Sequence, residues 1–473
     1  MLAVDAHPPL YYLLLRGWTA VFGFSEPAMR AMGAALCELT VVATARLVTM
    51  LAGTRRMALA LPFLVLGPLT LRYGYELRMY ALTALLAVLG TIAMLRALRA
   101  ERDAGGASAR RRIWLWWVAY GIVVVAGMLT QYLMALVWLT QAIWLLVRTI
   151  RDGSGERASW RWLGAYALAV VLFLLWLPTA FDQFGHAVLP AMHGAFTPAA
   201  LADLVMAWFT GLGAAHATGL VTLGLLAVAV VVVASCRQVP RRWRMLALMW
   251  LGPVLLLVLV AAVREPFMHG YGVLVMVRYT VMAMPFCYAF LGVLCADVAL
   301  RDGGDGTARV AAAGDGRSRR TARLAAVCRR WGAWACVLTM VVAGDIALAV
   351  NGNTVYEQSR TPHARAVAAA VPCSARDIVV AADPFTATDA WWYYRACPGY
   401  RLIAPEGGLP SWGGYAPLRG TVPVIRSLDD LPAGVRSITV IQTFGAGRPP
   451  SATARHPLAS CTDIGEYTVC RFR

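Results

Sequence analysis

LRYGYELRMYALTALLAVLGTIAMLRALRAERDAGGASARRR, residues 71–112, joins three kinds of sequence in one stretch. It begins with a polar corner in which Arg72, Glu76 and Arg78 sit among Tyr73, Tyr75 and Tyr80. An apolar run follows over 78–98, matching the roughly 20 residues that a bilayer crossing needs. The stretch ends in an arginine-rich segment, 96–112. A polar end, an apolar middle and a basic end together predict a membrane span with a fixed orientation.

The rest of the chain extends this reading. Of 473 residues, 59% are hydrophobic and only 14% charged, where a soluble domain carries about 25% charged residues. The mean hydropathy is +0.61. Lipid is the only solvent for most of such a chain. The net charge of +18 does not indicate nucleic acid, because the arginines cluster between apolar runs. Spans are predicted near 28–52, 57–72, 78–98, 113–130, 131–148, 162–181, 216–235, 245–263, 273–300 and 331–350. The first apolar stretch lacks the basic n-region and small-residue cleavage site of a signal peptide.

Every second connection is rich in arginine: 53–56, 96–112, 148–161, 236–244 and 301–330. The positive-inside rule places these in the cytoplasm. It places residues 1–27, the 72–77 corner, the 182–215 loop, the 264–272 corner and everything after 350 outside. The expected organisation is an α-helical polytopic membrane domain over 1–350, with about ten helices, and a small extracytoplasmic α/β domain over 351–473. In the latter, the β-branched runs DIVVAADP, YRLIAP, VRSITVIQTF and IGEYTVCRF alternate with one helical pattern, ATDAWWYYRAC. Its four cysteines, Cys373, Cys397, Cys461 and Cys470, suggest two disulfides in an exported domain. Three pairings are open, and short loop closure favours Cys373–Cys397 and Cys461–Cys470.

Polar residues at the membrane face are costly and therefore informative. Asp5 and His7 precede two prolines and the tyrosines Tyr11 and Tyr12; a Pro-capped interfacial helix with a tyrosine belt explains them equally well. The 72–80 corner, with Glu76 four residues from both Arg72 and Tyr80, reads as functional. Outward arginines need a reason, and a lipid phosphate is one. Arg264, His269, Arg278 and Tyr279 form a third group, against which stands simple snorkelling. His186, His193 and His216 lack zinc-ligand spacing, and AALADLVMAWFTGLG reads as the apolar face of a helix lying on the membrane. No phosphate-binding P-loop and no GxSxG occur. The sequence assigns no cofactor with certainty, and a divalent cation is left open.

These residues resemble the polytopic GT-C glycosyltransferases, in the bacterial mannosyltransferase-like branch related to protein O-mannosyltransferases and the aminoarabinose transferase. The resemblance rests on HPPLYY at His7–Tyr12, an FG-x-SE-x-x-x-R segment from Phe22 to Arg30, the YxxExRMYAL corner at Tyr73–Leu82, and Arg278-Tyr279 followed by Pro285. It spans roughly residues 5–300. It implies a polyprenyl-phosphate sugar lipid as donor and an envelope glycan, glycolipid or protein as acceptor. An acidic base in the first external loop and inversion at the anomeric carbon are also implied. Asp5 and Glu76 are then the candidate catalytic acids, and His7, Tyr11, Tyr75, Arg78, Tyr80, Arg264, His269, Arg278 and Tyr279 the candidate substrate contacts. Family members carry a membrane helix and an acidic pair before HPP, so an N-terminally shortened chain is expected. The arginine-rich, lysine-poor composition suggests a GC-rich bacterium and its inner membrane. A lipid-linked-sugar carrier or flippase, or a non-catalytic envelope scaffold, are the alternatives. A carrier predicts half-repeats with broken helices, and the sequence shows no internal repeat.

Overall fold

The computed structural model describes residues 7–74, 76–103, 107–152, 160–185, 197–210, 239–264, 276–311, 331–332, 334–346, 363–404, 408–409, 415, 418–443, 453 and 455–472. The chain divides into two compact units, one of them formed by His7–Leu177 with Ala191–Tyr356, the other by Met1–Ala6, Pro178–Pro190 and Glu357–Arg473. The first is a helical bundle. Its opening helix α1, Leu10–Phe22, starts after Pro9 because the two prolines deny the preceding residues a helical hydrogen bond. It buries Tyr11 and Thr19 and exposes Leu13, Leu14, Val21 and Phe22, as a helix lying in an interface does. Helix α2, Glu26–Ala52, is capped by Ser25.

The expected span 57–72 is instead a broken helix. Helices α3, Thr54–Val65, and α4, Pro68–Gly74, meet at 54°. A Cβ at Gly67 would lie 2.4 Å from the Tyr288 ring, so only glycine fits where that tyrosine presses on the break, and Pro68 starts the second piece. Helix α5, Tyr80–Arg102, follows and lies deep in the bundle: 78% of its apolar window is buried, against 28% for α2 and 94% for the later span Val277–Leu300. Around it lie α6, Ala107–Met128, α7, Met134–Asp152, and α8, Arg161–Leu174, with α10, Pro198–Thr210, and α11, Arg244–Arg264, further along the chain. Helix α9, Leu177–Gly185, falls almost wholly in the other unit. The 3₁₀ segment Val277–Ala283 runs directly into α12, Met284–Ala311, and α13 covers Trp334–Ile346. Among the described residues, five helices are long and apolar enough to cross a membrane, or seven if each of two bent pairs is one span. The expected span 216–235 lies outside the described residues, as do His186, His193 and His216.

Close approach is bought with glycine, and polar groups are satisfied internally. Trp138 of α7 is wedged against Gly90 of α5 and Gly127 of α6, where an added Cβ would meet its ring at 2.7 and 2.6 Å. The Tyr120 hydroxyl donates to Gln141 Oε1 at 2.7 Å and lies 2.8 Å from the Tyr166 hydroxyl. Gln141 Nε2 in turn donates to Thr91 Oγ1 at 3.0 Å. This chain of bonds ties α5, α6, α7 and α8 together where neither water nor lipid offers a partner. At the arginine-rich end, Arg56 pairs with Asp297 at 2.8 Å and stacks over Trp243, and Trp117 Nε1 donates to Glu101.

The second unit contains a six-stranded sheet in the order β3-β2-β1-β4-β6-β5. The strands are β1 Asp377–Ala381, β2 Tyr400–Ile403, β3 Val424–Ile425, β4 Ser437–Thr443, β5 Leu458–Ile464 and β6 Tyr467–Phe472. The first four are parallel; β6 runs antiparallel to β4 and to β5. Strand β1 is buried at every position because two apolar clusters cover its faces. Helices α14, Ala364–Ala370, and α15, Pro384–Tyr394, belong to one of these clusters. Cys373 is bonded to Cys397 and Cys461 to Cys470, the latter being register partners across β5 and β6. At the start of β1, the Asp377 carboxylate accepts from Arg436, Ser374 and Ser437. The Arg436 bonds, more than the two serines, hold its carboxyl far below the usual carboxylate range.

Two outcomes follow from this packing. Gly90→Leu or Gly127→Leu expels Trp138 and lowers stability by about 1–3 kcal/mol, read as an earlier thermal transition in detergent. For Asp377 the depressed folded value means its stabilisation is complete at neutral pH. It fades from about pH 5 downward, as acid protonates the unfolded chain first. Acid titration of the intact protein, followed by near-ultraviolet circular dichroism, therefore shows an acid transition that Asp377→Asn makes shallower.

Candidate active site

The site lies at the end of the bundle where α5 begins, about 34 Å along that helix from its arginine-rich end. Three chain segments meet there. The first is the start of α1, tied to the end of α6 by the Leu10 amide, which donates to the Leu129 carbonyl at 2.9 Å. It brings Tyr11, buried and edge-on to Tyr12 at 5.7 Å. The second is the corner between α4 and α5. The sequence suggested a continuous helix pairing Glu76 with Arg72 and Tyr80 at one-turn spacing. Instead α4 ends at Gly74, and residues 76–79 form a turn in which the Arg78 amide donates to the Glu76 carbonyl at 2.8 Å. The turn needs the corner pressed against α2: a Cβ on Gly33 would come within 2.4 Å of the Gly74 carbonyl oxygen. Arg72 lies over the Tyr73 ring at 5.5 Å, and Tyr73 meets Tyr80 edge-on at 5.1 Å. The third segment is the 3₁₀ turn, which supplies Arg278 and Tyr279.

Arg78 is the hub. Its guanidinium is enclosed by the protein, while part of the residue stays exposed. Tyr12, Glu76, Tyr80 and Arg278 all lie within its electrostatic range. Tyr80 senses Arg278, Arg78, Tyr279 and Glu76, and Tyr11 senses Arg78 and Glu76. Arg78 thus has a second guanidinium and one carboxylate within its range, and guanidiniums match an anion with several acceptor oxygens.

Thus His7, Tyr11, Glu76, Arg78, Tyr80, Arg278 and Tyr279 are described, and all but His7 share this electrostatic neighbourhood. Asp5, Tyr75 and His269 lie outside the described residues. Arg264 ends α11, with its side chain likewise outside. The four disulfide cysteines belong to the other unit. Among the described residues, no group of three or more His, Cys, Asp or Glu is arranged to hold a metal ion.

Two supporting residues, Tyr288 and Asp345, were not singled out from the sequence. Tyr288 donates to the Trp208 carbonyl at 2.9 Å and accepts from the Leu69 amide at 3.2 Å, and Trp208 Nε1 donates to Thr280 Oγ1 at 3.0 Å. These bonds lock α10 onto α4 and the 3₁₀ turn, so α10 is docked in the bundle rather than lying on a membrane surface. Asp345 on α13 is in electrostatic range of Tyr288, with both carboxylate oxygens buried and no hydrogen-bond partner among the described residues. A lone tyrosine and a lone acid within apolar runs were the available signals.

Residues 6–178 match the model of the dolichyl-phosphate-mannose-protein mannosyltransferase family. No curated protein matches the chain. Among solved structures, ArnT from Cupriavidus metallidurans in the apo state aligns with a TM-score of 0.58 at 16% identity, covering 98% of this chain and 87% of that one. The same ArnT bound to undecaprenyl phosphate aligns with a TM-score of 0.55 at 14% identity over the same shares. The chain is a multi-pass membrane protein that shares the fold of these ArnT structures, and its residues 6–178 are similar to the dolichyl-phosphate-mannose-protein mannosyltransferase family.

Proposed function

We propose that this protein is a membrane glycosyltransferase that moves a mannose-like or pentose sugar from a polyprenyl-phosphate lipid to an envelope glycan, glycolipid or protein. The observation that carries the reading is the enclosed meeting of Arg78 and Arg278 with Glu76 and Tyr80, at the opposite end of α5 from its arginine-rich terminus. With the arginine-rich connections in the cytoplasm, this end and the C-terminal domain face outward from a bacterial inner membrane. The match to an ArnT that binds undecaprenyl phosphate supports a lipid phosphate as the anion.

The chemistry is a displacement. A carboxylate takes the proton of the acceptor hydroxyl, the acceptor oxygen bonds to the anomeric carbon, and the bond from that carbon to the phosphate oxygen breaks. The electron pair leaves with the lipid phosphate, whose growing charge the two guanidiniums stabilise. Glu76 and Asp5 are the carboxylates assigned to the proton. In this reading Tyr11, Tyr12, Tyr80 and Tyr279 supply rings that exclude water on the sugar side.

In membranes given radiolabelled polyprenyl-phosphate mannose or arabinose, Glu76→Gln and Arg78→Ala each reduce transfer by about a hundredfold or more while folded protein is retained. Normal transfer in both variants removes this corner from the site. Arg278→Lys keeps the charge but loses the fork, and costs about tenfold in kcat/KM for the lipid donor.

A further inference from the structure

Arg278 takes its direction from an uncommon piece of backbone. It lies in the 3₁₀ segment Val277–Ala283, which is seven residues long. Runs beyond three or four residues are uncommon in this conformation, because its hydrogen bonds are poorly aligned. The segment leads straight into α12 at Met284. Had α12 simply continued backward, each residue would rise about 0.5 Å less and turn about 20° less. Between Met284 and Arg278 these differences amount to about 3 Å along the axis and about 120° around it. Arg278 would then point away from Arg78 and Tyr80, whose electrostatic neighbourhood it shares. The 3₁₀ form is therefore what aims Arg278, and it needs support from outside the segment.

That support centres on one hydroxyl. Thr280 is fully buried, and its Oγ1 donates to the Val277 carbonyl at 2.8 Å, the carbonyl of the peptide bond that enters Arg278. The same oxygen accepts from Trp208 Nε1 at 3.0 Å. An indole N–H only donates, so with the hydroxyl hydrogen committed to Val277 the two groups are matched. Trp208 is anchored in turn. Its carbonyl accepts from the Tyr288 hydroxyl, which itself accepts from the Leu69 amide of α4. Its ring meets Trp250 of α11 edge-on at 5.7 Å. One indole thus stands between the turn that carries Arg278 and α4, the helix that leads into the Glu76–Arg78 corner. Ring bulk alone fills the core, and phenylalanine supplies most of that bulk. The N–H is the part that reaches the turn.

We propose that Trp208 is a positioning residue for the anion site: through the Thr280 hydroxyl it holds Val277–Ala283 in the 3₁₀ form and so aims Arg278 at the anion that Arg78 also grips. The inference rests on the reading of this corner as a lipid-phosphate site. Trp208 acts through Thr280 and Arg278 and is assigned no contact with lipid or sugar. The test measures the affinity of the full-length protein in nanodiscs for polyprenyl phosphate, alongside sugar transfer. Trp208→Phe, which keeps a ring in the core, weakens binding about five- to tenfold, as loss of a hydrogen bond does. In the Arg278→Ala background the same change alters binding by less than about twofold, because the group it positions is gone. Thr280→Val repeats the loss, and Thr280→Ser, which keeps the hydroxyl, restores binding. Should Trp208→Phe prove unfolded, or Arg278→Ala bind too weakly to measure, the Thr280 pair makes the comparison without touching the indole. The proposal is overturned if Trp208→Phe binds as wild type does, if its loss is as large without Arg278 as with it, or if Thr280→Ser binds as poorly as Thr280→Val. Wild-type protein that binds no polyprenyl phosphate overturns this inference together with the reading beneath it. Wild-type protein that binds the lipid and transfers no sugar sinks the transferase alone.

Discussion

Two arginines within electrostatic range of each other set the terms for the proposed site. Arg78 and Arg278 repel each other, and neither can be enclosed cheaply. The surrounding elements are arranged around that cost. Glu76 supplies a countercharge, the tyrosines supply hydroxyl dipoles and rings, and α1, the α4–α5 corner and the 3₁₀ turn each contribute one part. An anion with several acceptor oxygens would balance the two guanidiniums, which is why the proposed function reads this arrangement as a binding site rather than a structural ion pair.

The rest of the bundle makes that meeting rigid. Glycine contacts at Gly33, Gly67, Gly90 and Gly127 let helices approach until side chains interlock, and hydrogen bonds in the apolar interior lock them at that distance. Tyr288 reaches from α12 to both α4 and α10, so the break between α3 and α4 is a supported feature. It lets Arg72 and Tyr73 approach the site from a direction a straight helix could not provide.

Much of this was legible in the sequence because lipid imposes simple rules. Apolar run length gave α2, α5, α7 and α11, and the alternation of arginine-rich connections separated one end of the bundle from the other. The β-branched runs after residue 370 appear as β1, β2, β4 and β6, with α15 between the first two. Local rules failed where a distant residue decides the conformation. The run 57–72 looks continuous, since nothing local shows that Tyr288 will press on Gly67. The corner was read at helical spacing because Glu76 and Tyr80 fit it, although contact between Gly33 and Gly74 requires a turn. Asp345 and Tyr288 are single polar residues in apolar surroundings, and their importance depends on packing that no periodicity records.

The bond between Cys461 and Cys470 bears on how the C-terminal sheet keeps its register. The two residues are direct partners across β5 and β6, and β6 is also the strand that lies between β5 and the parallel part of the sheet. A slip of one residue would turn one thiol to the opposite face. The crosslink therefore holds the hairpin in this one register. Since β6 pairs on its other side with β4, fixing β5 to β6 secures the antiparallel border of the sheet.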